Sequence, residues 1–173
     1  LYVHQSLPFT GAKKFSFLKE EERALAVYQR IIGRLIYLSV RCADYVIVQT
    51  RWMKEAVSER IPAVADKISA VPPHLALPAG IELLPGEERR VQSFFYPANA
   101  GIYKNHECIL DALSLLKESG MTPEVIFTLT GSENLYSRRL KARAEAEGLN
   151  VRFAGGMELS RVFETYRHSV LLF

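Results

Sequence analysis

Residues 91–173 follow one repeating pattern, and it restricts the fold more than any other feature of the chain. Short runs of β-forming residues at 91–96, 125–130, 151–154 and 169–173 alternate with helical patterns after Asn105, at 135–147 and at 159–168. The connections are short, so each helix must carry the chain back to start the next strand in the same direction. A β-α-β-α-β-α-β order of this kind predicts an α/β domain with a parallel sheet sandwiched between helices. The run Val125-Ile126-Phe127-Thr128-Leu129-Thr130 is nearly continuous in apolar character, as expected of a strand covered on both faces.

The first of these units is the most informative. Phe94-Phe95-Tyr96 ends a strand, Pro97-Ala98-Asn99-Ala100-Gly101 reads as a loop of small residues, and a helix opens near Lys104-Asn105-His106. Ile109, Leu113 and Leu116 share a predicted apolar face with Ala112; Asn105 is the expected N-cap, and Gly120 marks the far end. Lys104 therefore sits where free backbone N–H groups and the positive end of a helix dipole collect, a setting for an anionic group such as a phosphate. The other strands end in Gly131-Ser132 and Gly155-Gly156-Met157, which in a parallel sheet line the same crevice. Small residues there let a ligand approach the backbone, which suits a nucleotide carrying phosphates. Each glycine alone is equally a turn residue, and Lys104 alone equally a solvated lysine.

Residues 1–90 read differently. Leu1-Tyr2-Val3 is a short apolar run with His4 at its carboxyl end, where open α/β sheets place ligands; a histidine bonded to its own loop is the plainer alternative. Residues 20–42 form a long helical pattern, interrupted by Gly33, with Leu25, Tyr28, Ile32 and Leu35 on one face. Arg23, Arg30, Arg34 and Arg41 fall on the other. Such a stripe is either a solvated face or an attraction for anionic lipid headgroups or a lipid diphosphate. A strand is expected at 44–49 and a helix at 51–59 capped by Thr50, with Trp52, Met53, Ala56 and Val57 in the core. A further strand at 67–71 stops at Pro72-Pro73, and residues 74–90, rich in Pro, Gly and Glu, read as a linker. The expected organisation is thus a partial domain over 1–73, a linker over 74–90 and a second partial domain over 91–173.

Several functions are disfavoured. Lys plus Arg number 22 against 19 Asp plus Glu, a balance too mild for a nucleic-acid binder. The three-glycine dinucleotide fingerprint, a P-loop, a Ser-His-Asp or Cys-His set and a metal cluster are all absent from the sequence. Cys42 and Cys108 have no metal-ligand spacing and are expected to be buried, reduced thiols of a cytosolic protein. The apolar stretch 31–40 is broken by Arg34 and is too short to span a bilayer. The chain opens without Met and closes on Val170-Leu171-Leu172-Phe173, inside an expected strand, so a fragment of a longer protein is expected.

Tyr96-Pro97 followed by Tyr103-Lys104-Asn105-His106 resembles the nucleotide-sugar site of the group-1 retaining glycosyltransferases, which have the GT-B fold of two facing Rossmann-like domains. Leu129-Thr130-Gly131, Val151 to Gly156 and Val162-Phe163-Glu164-Thr165-Tyr166 are similar to later segments of the same family, and Leu1 to Gln5 and Asp44 to Thr50 to its acceptor-side domain. The resemblance implies transfer of a sugar from a nucleotide diphosphate donor to a saccharide or lipid-linked acceptor. No metal or other cofactor is expected, and the setting would be cytoplasmic polysaccharide or glycolipid assembly with peripheral membrane contact. Lys104, with Asn105 and Asn99, would hold the donor diphosphate; Gly131, Ser132, Gly156 and Met157 would border the nucleotide; His4, as the catalytic residue, would face the transferred sugar. Two departures stand out. The arginine usual just before the lysine is replaced by Ala98, Asn99 and Ala100, and the family's paired glutamates would fall after Phe173, so this stretch alone is expected to be inactive. A non-catalytic Rossmann-like nucleotide-binding or scaffold protein is the alternative, with an epimerase or phosphorylase on the same architecture behind it.

Overall fold

A computed structural model describes residues 1–11, 13–74 and 93–172. The chain divides into two compact units, Leu1–Leu77 and Pro78–Phe173. Of the expected linker at 74–90, all but the exposed His74 lies outside the described residues.

In the first unit, β1 (Tyr2–Val3), β2 (Val46–Val48) and β3 (Ile68–Ala70) form a parallel sheet in that order. Tyr2 is in register with Ile47, and Val46 with Ile68. β1 and β2 are joined through α1 (Glu20–Val27), a π-helical turn (Tyr28–Ile32) and α2 (Gly33–Cys42). Helix α3 (Arg51–Arg60) and a 3₁₀ turn (Pro62–Lys67) lead to β3. Thr50 caps α3 as its type predicts, its hydroxyl accepting from the Met53 amide at 3.1 Å. The core gathers Val3, Phe9, Val40, Val46, Val48, Met53, Val57 and Ile68. Each side chain of this size contributes about 1.5–3 kcal/mol by leaving water.

Two expectations fail here. The helical run over 20–42 is continuous, but its π turn adds a residue to one turn and rotates the faces. Ala26, Gly33 and Val40 are buried, whereas Ile32 and Leu35 are exposed. Gly33 packs closely on Pro8, whose Cβ would lie 3.1 Å from an added methyl, so a side chain there would need Pro8 to shift slightly. Trp52 is exposed, because Met53 and Val57 take the inward positions of α3.

The second unit runs β4 (Ser93–Tyr96), α4 (His106–Glu118), β5 (Glu124–Phe127), α5 (Leu135–Ala146), β6 (Val151–Phe153), α6 (Leu159–His168) and β7 (Ser169–Leu171). All four strands are parallel in the order β6-β5-β4-β7. Alternation of side chains sorts the faces. Phe94, Tyr96, Val125 and Phe127 pack with Leu110 and Leu113 of α4 and with Tyr136, Leu140 and Ala144 of α5. Phe95 faces the other way, against Tyr166 of α6, with ring centroids 5.3 Å apart. The chain thus builds outward from β4 on one face and then crosses to the opposite side of β4 through α6. That reversal places a topological switch point between β4 and β7, where sheets of this kind hold ligands outside the strands' carboxyl ends.

On α4 the buried positions are His106, Leu110 and Leu113, while Ala112 is exposed and Ile109 and Leu116 lie at the margin. The apolar face is therefore centred one position away from the expected one. Cys108 lies about 200° around the helix from Leu110, two residues on, and is exposed. Cys42, the last residue of α2, is exposed too, so neither cysteine is the buried thiol expected. Gly120 and Gly148 follow α4 and α5 with φ of +81° and +57°, the left-handed conformation that lets a helix end sharply. Among the described residues no helix is long and apolar enough to cross a membrane.

Candidate functional site

The carboxyl ends of β4, β5 and β6 continue into three loops that are tied to one another. After β4, a 3₁₀ turn (Ile102–Lys104) precedes α4. The Asn134 side chain donates to the Ala100 carbonyl at 2.8 Å, and the Thr128 hydroxyl to the Ala98 carbonyl at 3.3 Å, joining the β4 and β5 loops. The Gly155 amide donates to the Leu129 carbonyl at 3.0 Å, joining the β5 and β6 loops. Gly155 is left-handed (φ +76°), and an added Cβ would come within 3.3 Å of Thr130.

Lys104 closes the 3₁₀ turn and is exposed. Its ammonium lies 5.3 Å from the Tyr103 ring centroid, and its carbonyl accepts from the Tyr96 hydroxyl at 2.6 Å. The backbone of the turn is thereby held from the end of β4, while the charge stays without an ion pair among the described residues. Asn99 is exposed, and its side chain meets the Tyr103 hydroxyl at 3.3 Å. The amides of Ile102 and Tyr103 make no hydrogen bond among the described residues.

Asn105 stands at the N-cap position but in the left-handed conformation (φ 52°, ψ 44°), and its side chain does not cap α4. The helix is capped from outside instead. The Tyr136 hydroxyl, on α5, accepts the His106 amide at 3.0 Å, and the Cys108 amide turns back to the Asn105 carbonyl at 3.1 Å. Two of the N–H groups expected to be free at this helix start are accordingly engaged, those of His106 and Cys108, and further open donors lie in the turn before it, at Ile102 and Tyr103.

His106 is completely buried. Its ring meets those of Tyr96, Phe127 and Tyr136 edge-on, with centroids 4.9, 5.0 and 6.0 Å away. Neither ring nitrogen has a hydrogen-bond partner. Burial, then the Lys104 ammonium, lowers its pKa to about 4; the Ala98 backbone pulls weakly the other way without a bond of good geometry. His106 is therefore a neutral imidazole at ordinary pH.

Gly131 is left-handed (φ +82°) and buried. Its amide and that of Ser132 donate to Glu133 Oε2 at 3.1 Å, and the Thr130 amide donates to Oε1. Three successive N–H groups thus wrap a carboxylate belonging to the same loop, an anion nest with an internal occupant. Desolvation pushes the Glu133 pKa up, but hydrogen bonds from the Thr130 amide and hydroxyl, its own amide and the Ser137 hydroxyl outweigh it and hold the carboxyl down at about 2. Gly156 is exposed, with open space where a side chain would go. Met157 is half-buried. It lines a cavity of about 310 Å³ on the α6 side of the sheet, with Ile126, Arg152 and the strand-opening Ser93, Glu124 and Ser169.

In the first unit, His4 is exposed just beyond β1, stacked on Tyr2 with centroids 5.9 Å apart. It lines a cavity of about 200 Å³ with Gln5, Tyr28, Ile36 and Ser39. Among the described residues no group of three or more His, Cys, Asp or Glu is placed to hold a metal ion.

Tyr136, His106 and Glu133 are the residues that sequence reasoning passed over. Glu133 had a signal, since Thr130 and Glu133 have the spacing of a capping box ahead of a helix. Tyr136 had none, because its partner is 30 residues away. No protein-family model matches the chain, and no curated protein matches it either.

Proposed function

We propose that the chain is part of a glycosyltransferase of the GT-B type, and that the Lys104 turn binds the diphosphate of a nucleotide-sugar donor. One observation carries this reading: an unpaired ammonium and the open amides of Ile102 and Tyr103 share a turn anchored at the carboxyl end of β4, beside the switch point. Asn99 and Asn105 supply neutral donors on either side. In the reaction, the anomeric carbon exchanges its bond to the diphosphate oxygen for one to an acceptor hydroxyl, with retention of configuration, and the acceptor's proton passes to the departing diphosphate. Lys104 and the turn amides stabilise charge developing on that leaving group. His4, in the other unit, is proposed to face the transferred sugar. The acceptor is a saccharide or a lipid-linked saccharide, and the setting is the cytoplasmic face of a membrane.

The test is donor binding rather than turnover. Calorimetric titration with uridine, guanosine and adenosine diphosphate sugars should show one binder, and Lys104→Ala should weaken it by about 1–3 kcal/mol, as for loss of a charge-assisted hydrogen bond. Failure of every donor to bind, or an unchanged affinity in the variant, would remove the reading.

A second reading is favoured by a separate observation. Tyr136 caps α4, and Glu133 fills the nest at Thr130, Gly131 and Ser132, so two sets of amides that a phosphate would use are already engaged. A non-catalytic Rossmann-like nucleotide-binding or scaffold protein fits that economy of donors. It predicts that a nucleoside monophosphate binds as tightly as the diphosphate sugar.

A further inference from the structure

On the flank of the first unit lies a cavity of about 300 Å³ whose lining includes Lys14, Arg30, Arg34 and Arg60, with Gln29 and Tyr37 between them. Four cations share it, and no carboxylate lines it. This concentration is local. Residues 1–74 hold eleven Lys and Arg against seven Asp and Glu, and one of those acids, Glu22 of α1, is engaged by Lys13 at 3.5 Å and Lys19 at 3.8 Å. Among the described residues Lys14, Arg34 and Arg60 have no ion pair.

The cavity is held open by structure around it. The Gln29 amide donates to the Leu7 and Lys13 carbonyls at 3.2 and 2.9 Å, and its oxygen accepts the Phe15 amide at 3.1 Å, so the loop after β1 is pinned to the helix. The Tyr37 hydroxyl donates to the Pro8 carbonyl at 2.9 Å and accepts from Arg60 Nη1 at 3.4 Å, aiming the guanidinium along the cavity wall. Arg30 is steadied by the Phe15 carbonyl at 3.3 Å and by the Phe17 ring, 5.1 Å away. Arg30 and Arg34 are four residues apart across the end of the π turn, so both project on one side of the helix. Like charges gathered without counter-charge repel, and the guanidinium fork matches the paired oxygens of a phosphate.

We propose that this cavity is a binding site for a phosphate-type oxyanion, supplied either by a small soluble polyanion or by the headgroup of an anionic lipid. It belongs to the first unit alone and is independent of the Lys104 site. The test uses the full chain carrying Lys104→Ala, so that only this cavity is read. Calorimetric titration with inorganic pyrophosphate at low salt should give one saturable site that weakens steeply as salt is raised. Adding Arg34→Gln and Arg60→Gln should reduce affinity at least tenfold while leaving the ligand-free circular dichroism spectrum unchanged. Arg34→Lys, which keeps the charge and loses the fork, should fall between the two. In a parallel arm, sedimentation with phosphatidylglycerol vesicles, set against phosphatidylcholine vesicles, identifies the source. Retention on the anionic vesicles that the double variant loses assigns a lipid headgroup, and pyrophosphate binding without vesicle retention assigns a soluble anion. The proposal is overturned if neither ligand binds, or if the double variant binds as tightly as its parent.

Discussion

The imidazole of His106 offers the sharpest test of the second unit's energetics. The ring is enclosed by Tyr96, Phe127 and Tyr136, has no hydrogen-bond partner, and has a folded pKa of about 4 against an ordinary value of 6.5. Between those two values the unfolded chain binds a proton that the folded chain refuses, so stability rises with pH across the window and falls as pH drops below about 6.5. Linkage puts the loss between pH 7.5 and pH 5 at up to about 2 kcal/mol, a large share of the stability of a domain this size. His106→Phe removes the titrating group while keeping an aromatic ring in an aromatic box. The larger ring shifts stability by an amount independent of pH, on the order of 1–3 kcal/mol if it overpacks. Urea unfolding followed by circular dichroism at the two pH values therefore isolates the effect, because only the wild type should lose the additional ~2 kcal/mol on acidification. Fluorescence of Trp52, the sole tryptophan and a residue of the first unit, should show the same pH response in both proteins. If wild type and variant lose equal stability between pH 7.5 and pH 5, the buried neutral imidazole is not what the geometry implies.

Two other substitutions test how the candidate site is held. Tyr136→Phe deletes the hydroxyl that accepts the His106 amide, and the uncapped start of α4 should cost about 1–2 kcal/mol in denaturant unfolding; burial pushes that phenol up to about 12, so the effect should not vary between pH 6 and pH 9. Glu133→Gln removes the charge from the amide nest at Thr130, Gly131 and Ser132, at a cost of about 1 kcal/mol at neutral pH after allowance for its exposure. Because the folded carboxyl is held down at about 2, its contribution is present above its usual 4.5 and is lost as pH falls toward 2, so the two unfolding curves should converge over that interval.

Much of the second unit could be read from local pattern. The order of strands and helices, the left-handed glycines at the ends of α4 and α5, and the meeting of three strand-end loops all follow from periodicity, turn chemistry and the geometry of parallel sheets. The helix faces were less legible. On α4 a shift of one position left Ala112 in solvent and buried Leu110, because several apolar residues crowd one side and only the sheet decides which of them points inward. On the long helix of the first unit, a single π turn rotated the pattern and exposed Ile32 and Leu35. Met157 follows two glycines, and its place on the α6 side depends on a turn direction that no local rule supplies.

The chain's local chemistry was enough to set its class, its strand order along the sequence and the position of Lys104 ahead of a helix, since these depend on neighbours a few residues apart. Tertiary contact decided which donors at that helix start stay open. Tyr136 reaches the His106 amide from 30 residues away, and the four cations of the flank cavity come from a loop and two separate helices. Hydrogen bonding and charge act through space, so groups distant along the chain meet only once the sheet and helices have packed.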